Sequence, residues 1–261
     1  MHPLLNIAIQ AARQASKHIL RGFDQLDRVK ITEKSANDFV SDIDIEAEKI
    51  IIELIQQAYP SHSILSEEHG LIEGDEYCWI IDPLDGTANF IHGIPHFAVS
   101  IAVKKGKETI IGMIYDPIRN ELFTATHGAG AHLNSRRIRV STISSLKQAL
   151  VGTGFPFRSK QHVGPYLSTF NNLLPDVSDI RRAGSAALDL AYVACGRLDG
   201  FWEASLESWD MAAGVLMIQE AGGFLCDFNK EKHYLDNGNI IAANGKLFKE
   251  LSKRIIDVLH D

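Results

Sequence analysis

The segment Met211-Ala212-Ala213-Gly214-Val215-Leu216-Met217-Ile218 constrains the fold more than any other part of the chain. It reads as a helix that begins at Asp210, yet it has no polar face to offer water, so the rest of the molecule has to bury it. The rest is suited to that task. Strand-like and helix-like apolar runs alternate along the sequence, the pattern of a layered α/β protein.

Leu4, Leu5, Ile7, Ala8, Ala11, Ala12, Ala15, Ile19 and Leu20 recur at helical spacing and predict an amphipathic helix from residue 3 to about 26. Residues 28–43 mix polar and short apolar pieces, as in an extended loop or hairpin. Asp44, Glu46 and Glu48 then place acids in the first turn of a helix that stops before Pro60. Strands are expected near 62–66, 79–81, 97–103, 109–115, 121–125, 149–151, 180–182, 200–203, 224–227 and 240–243, with helices near 160–174, 184–194 and 247–259. Residues 140–146 read as a polar connector. A soft boundary near 145 therefore divides two α/β halves, 1–145 and 146–261, packed as one unit around a shared cleft.

Trp79-Ile80-Ile81-Asp82-Pro83-Leu84-Asp85-Gly86-Thr87 drives a buried strand into two carboxylates. Pro83 biases Asp82 toward an extended backbone. Gly86 permits a tight turn or close approach, and Thr87-Ala88-Asn89-Phe90 could open a helix with free N–H groups facing the same side. Taken alone, an Asp-Gly turn explains the stretch equally well. Asp44 and Asp210, taken singly, read as helix caps worth about 1 kcal/mol each, and Glu67 and Glu68 as solvated acids. Together, these acids stand at the ends of apolar elements, where stiff backbone brings them together, and carboxylates sharing a site repel unless a cation sits among them. All donors are hard oxygens, which favours Mg²⁺ over zinc. G-x-S-x-G is absent, and neither Ser185 nor any cysteine sits in a nucleophile motif, which disfavours a covalent mechanism. His92 and His96 lack H-E-x-x-H and read as packing or surface residues.

Composition narrows the class further. With 261 residues and 45% hydrophobic content, a sizeable core needs no disulfide framework. Cys78, Cys195 and Cys226 read as reduced core thiols of a cytoplasmic protein. No apolar run is long enough to span a membrane, and a net charge of −7 disfavours a broad nucleic-acid-binding face. Arg181-Arg182 and the other short basic runs read as solvated faces.

Glu67-Glu68, the D-P-L-D-G-T of residues 82–87, and Trp209-Asp210-Met211-Ala212-Ala213-Gly214 together resemble the inositol monophosphatase family of Mg²⁺-dependent, lithium-sensitive phosphatases. The resemblance spans essentially the whole chain. The bacterial extragenic-suppressor type is most similar, through Arg181-Arg182-Ala183-Gly184-Ser185-Ala186-Ala187-Leu188-Asp189-Leu190 and Asp199-Gly200-Phe201-Trp202-Glu203. It implies a layered αβαβα sandwich of the sugar-phosphatase type. Glu67, Asp82 and the Leu84 carbonyl would hold one metal, and Asp82, Asp85 and Asp210 a second, with Glu67 also helping to anchor a weaker third. Most metal ligands would come from the first half, with Asp210 and the polyol pocket from the second. Asp44 and Thr87 would orient water, Gly86 and Thr87 would cradle phosphate, and Asp85, Ala186 and Glu203 would contact polyol hydroxyls. Lys34 would lie on a mobile loop. Ser41 stands where many members carry threonine, and His69 where serine is usual.

The implied reaction is hydrolysis of a small polyol phosphomonoester, with inositol monophosphate leading, by metal-activated water without a phosphoenzyme. The same metal core serves enzymes acting on fructose 1,6-bisphosphate, NADP(H), histidinol phosphate or phosphoadenosine phosphate. The resemblance also implies a homodimer and, as a rival role, a binding partner in transcription antitermination.

Overall fold

A computed structural model describes residues 2–35, 38–156 and 163–260. Helix α1 (Pro3–Phe23) buries the predicted apolar stripe and ends at Asp24, earlier than its periodicity suggests, because the chain tightens there into a single 3₁₀ turn at Leu26–Arg28. Strands β1 (Ile31–Ser35) and β2 (Asp38–Ser41) pair antiparallel as a hairpin. Ser41 then caps α2 (Asp42–Ala58), its hydroxyl accepting the Ile43 N–H at 3.2 Å.

The first sheet is built from β3 (Ser63–Ser66), β4 (Gly70–Ile72) and β5 (Tyr77–Asp85), then, after the short helix α3 (Thr87–Ile91), from β6 (Ala98–Lys105), β7 (Glu108–Asp116), β8 (Glu121–Thr126), β9 (Gly130–Leu133) and β10 (Arg136–Arg137). Its order is β10-β9-β8-β7-β6-β5-β3-β4, antiparallel except for β3 beside β5. The second half contributes β11 (Leu150–Thr153), α4 (Val163–Leu173), β12 (Asp179–Arg181), α5 (Ala186–Ala194), β13 (Gly200–Glu203), α6 (Ser208–Glu220), β14 (Gly223–Cys226), α7 (Tyr234–Asn237), β15 (Ile240–Asn244) and α8 (Phe248–His260). Its five strands run in the order β12-β11-β13-β15-β14.

Strand alternation sorts the side chains into three cores. Trp79, Ile81, Val99 and Ile101 face α1 and α2, while Ile80, Ala102, Ile114 and Phe123 face α5 and α6. Phe201 and Ala242 of the second sheet join that central core, whereas Val151, Trp202, Ile241 and Ala243 face the outer helices α4 and α8. The result is five layers, αβαβα. Helix α6 lies in the middle layer with Met211 through Ile218 buried, which meets the demand of its all-apolar sequence.

Strand β5 differs from expectation. It does not end at Ile81 but continues to Asp85, with Asp82 opposite Ser100 and Asp85 opposite Ala98 across a shift of register. Pro83 has no N–H to pair, and the Leu84 N–H donates to the Asp82 carboxylate at 2.9 Å in place of a ladder partner. Of the three free cysteines only Cys226 is fully buried; Cys78 and Cys195 are half-buried. No helix among the described residues is long and apolar enough to cross a membrane.

Candidate active site

The alternation that sends Ile80 into the central core sends Asp82 the same way, toward the start of α6. Ser100, its cross-strand partner, donates from Oγ to the Trp209 carbonyl at 3.2 Å and ties the two elements together. Asp85 Oδ2 accepts the Ser185 hydroxyl at 2.5 Å and the Ala187 N–H at 2.8 Å, so the start of α5 grips it. Asp210, third residue of α6, accepts the Glu207 N–H at 2.8 Å. Asp82, Asp85 and Asp210 each offer an oxygen within 4.8 Å of the others. Burial, and then the charges of Glu67, Asp85 and Asp210, hold the Asp82 carboxyl well above the usual carboxylate range.

Glu67 follows β3, where its N–H donates to the Ile81 carbonyl at 3.2 Å, and it lines the same cleft as the three aspartates. Thr87 Oγ1 lies 2.8 Å from Asp44 Oδ1 and 3.0 Å from the Leu84 carbonyl. Asp44 also accepts the Ser41 N–H at 2.9 Å and the Ser41 hydroxyl. Burial raises its carboxyl pKa against those hydrogen bonds. Asp44 is not a cleft-lining group; it is buried behind Thr87 and hydrogen-bonded to it.

The cleft wall continues through Gly86, Thr87, Ala186, Asp189, Glu203 and Asp210. Glu203 faces inward because Phe201, two residues earlier on β13, does. Burial and the charges of Asp189 and Asp210 push its carboxyl well up, opposed by Arg182. Gly154 exists in this wall because a Cβ there would overlap the Glu203 carboxylate. Gly86 has φ +100°, and a Cβ on it would lie 3.0 Å from the His96 carbonyl. Asn89 of α3 donates to the carbonyls of His96 at 2.8 Å and Ala183 at 2.9 Å, which fastens the Gly86–Thr87 corner to the second half. The predicted Lys34 falls on β1, and its side chain lies outside the described residues.

Sequence reasoning missed four contributors. Asp189, a buried acid in an otherwise apolar helix, was visible as an anomaly. Glu48 reads in the sequence as one of the first-turn acids of α2, but it is wholly buried. Gly154 and Asn89 carry no local signal. The donor set of packed carboxylates with a carbonyl fits a hard divalent cation, which would neutralise the charges that now repel.

A two-sheet, five-layer fold with this acidic cleft defines a class. The chain belongs to the inositol monophosphatase family, whose family model matches residues 1–260. It is 52% identical over 257 residues to Nus factor SuhB of Pseudomonas aeruginosa, covering 96% of this chain and 95% of that one. The solved structure of extragenic suppressor protein suhB from Bartonella henselae superposes with a TM-score of 0.95 at 44% identity, covering 97% and 98% of the two chains. An inositol monophosphatase from Anabaena superposes with a TM-score of 0.87 at 37% identity, covering 97% and 95%.

Proposed function

We propose that this protein is a cytoplasmic, homodimeric phosphoric monoester hydrolase that releases phosphate from a small polyol phosphomonoester, inositol monophosphate first among them. The observation that carries the reading is the packing of Asp82, Asp85 and Asp210 oxygens within 4.8 Å, in one cleft with Gly86, Thr87 and Glu203.

In this reading Glu67, Asp82 and the Leu84 carbonyl, and Asp82, Asp85 and Asp210, would hold two of two to three Mg²⁺ ions. These residues would thereby place a cation whose chemistry is to lower the pKa of water and neutralise charge on the phosphate dianion. The Thr87 hydroxyl donates to Asp44, which leaves its oxygen lone pairs to accept from a water and aim it at phosphorus. Backbone amides of Gly86 and Thr87 receive phosphate oxygens. Glu203, Asp85 and the Ala186 backbone meet the hydroxyls of the polyol. Residues 1–145 supply most metal ligands, and residues 146–261 supply Asp210 and the polyol wall.

The test is phosphate release with Mg²⁺ over a panel of inositol monophosphate, fructose 1,6-bisphosphate and NADP(H), compared by kcat/KM. Inositol monophosphate should lead and lithium should inhibit; a clear preference for fructose 1,6-bisphosphate overturns the substrate assignment. Asp85→Asn or Asp210→Asn should cut turnover by about 100-fold or more. Near-wild-type activity in either variant overturns the site.

The kinship to a relative called a Nus factor favours a second reading, in which the protein also acts as a binding partner in transcription antitermination. If Asp85→Asn abolishes catalysis and still supports the cellular role, that role does not need the chemistry.

A further inference from the structure

The first turns of α2 carry two buried acids, Asp44 and Glu48, one helical turn apart and therefore on one face. Asp44 supports Thr87. Glu48 points at the turn between β3 and β4 instead. Its Oε2 accepts the Glu68 N–H at 2.8 Å and its Oε1 accepts the His69 N–H at 2.8 Å. The His69 Nδ1 lies 2.6 Å from Oε1 as well, so the imidazole donates from that nitrogen to a carboxylate. A carboxylate inside a turn, taking successive backbone N–H groups, is the arrangement by which a nest binds an anion, with the anion here supplied by the chain itself.

Glu67 is the residue immediately before those donors. Its own N–H is bound to β5 through the Ile81 carbonyl, and β5 carries Asp82. The Glu67 backbone is thus tied on one side to β5 and, through the two residues that follow it, to Glu48 of α2 on the other.

We propose that Glu48 is a positioning residue: its buried carboxylate clamps the Glu67-Glu68-His69 turn and so holds the Glu67 carboxylate in the cleft beside Asp82, where a divalent cation would bind. This rests on the reading of the cleft as a Mg²⁺ site. Removing a hydrogen-bond partner of a metal ligand costs roughly 10–100-fold in metal affinity, and Glu48 acts at one remove, through the backbone N–H groups that follow Glu67, so about 10-fold is expected. Glu48→Gln keeps the size but replaces one acceptor oxygen with a donor amide, which the two N–H groups cannot both use. His69→Ala keeps both backbone bonds and loses only the imidazole, so it should cost less.

The experiment is Mn²⁺ binding followed by electron paramagnetic resonance, with the Mg²⁺ activation constant and kcat measured alongside. Glu48→Gln should weaken Mn²⁺ binding about 10-fold and raise the activation constant, with kcat recovered at saturating Mg²⁺. His69→Ala should move both in the same direction by less. In a Glu67→Gln background, Glu48→Gln should add little, because it acts through Glu67. Wild-type-like binding by both Glu48→Gln and His69→Ala, or an undiminished Glu48→Gln effect in the Glu67→Gln background, overturns the proposal. If Glu48→Gln does not fold, Glu48→Asp, whose shorter side chain cannot hold both N–H groups, decides in its place: an unchanged activation constant overturns the proposal. A wild-type protein that binds no Mn²⁺ overturns the phosphatase reading and this inference together, whereas normal wild-type binding unmoved by the clamp variants overturns this inference only.

Discussion

Glu203 and Gly154 show how one residue's absence of a side chain sets another's chemistry. The Glu203 carboxylate occupies the volume a Cβ at Gly154 would need, so Gly154→Ala must displace the carboxylate or the strand. Because Glu203 meets substrate and not metal in our reading, Gly154→Ala should lower kcat/KM about 10-fold or more, chiefly through KM, while Mg²⁺ affinity stays put. The acids also predict a pH dependence. The Asp82 and Glu203 carboxyls are held above their usual range by burial and neighbouring carboxylates, so in chelator-treated protein the folded state binds protons more tightly than the unfolded chain. Stability from these groups is therefore full below the unfolded value of about 4 and is lost as pH rises through their folded values. The melting temperature of chelated Asp82→Asn should fall less over that rise than that of the wild type, and adding Mg²⁺ should restore the wild type. Much of this site was legible in sequence because Asp82, Asp85 and Asp210 sit at abrupt ends of apolar runs. Glu48 was not, since an acid near a helix start looks the same whether it faces water or a turn 20 residues away.

At the scale of elements, α2 and α6 each enter the site by their first turn. Reading Asp44 and Asp210 as either caps or functional acids posed a false choice. Each is the third residue of its helix and accepts the N–H of the residue before that helix, and the same bond fixes the direction of its other oxygen. Strand and helix order was readable from periodicity almost throughout. The course of β5 past Pro83 was not, because proline marks strand ends as often as bulges and only the pairing of Asp85 with Ala98 separates the two. The seating of α6 depends on small residues that periodicity does not highlight. A Cβ on Gly112 of β7 would lie 2.7 Å from the Ala213 carbonyl, and one on Gly214 would lie 2.5 Å from the Leu190 Cβ. Gly112→Ala should force α6 off the sheet and cost about 1–3 kcal/mol, seen as a fall in melting temperature of roughly 2–10 °C.

Across the whole molecule, the five layers make the two halves dependent on each other. The central core is filled from both directions, by Ile80, Ile114 and Phe123 of the first sheet and by Phe201 and Ala242 of the second, with α5 and α6 between. A fragment of residues 1–145 should therefore fail to form a cooperative fold, giving poorly dispersed amide resonances; a well-dispersed spectrum would show the first half to be autonomous. The same layering has a consequence during synthesis. The first sheet is complete at Arg137, but the helix that covers its inner face ends at Glu220, 83 residues later. At roughly 5–20 residues per second, the ribosome leaves that apolar face uncovered for about 4–17 seconds in every round of translation, long enough for chaperones to compete with aggregation for the nascent chain.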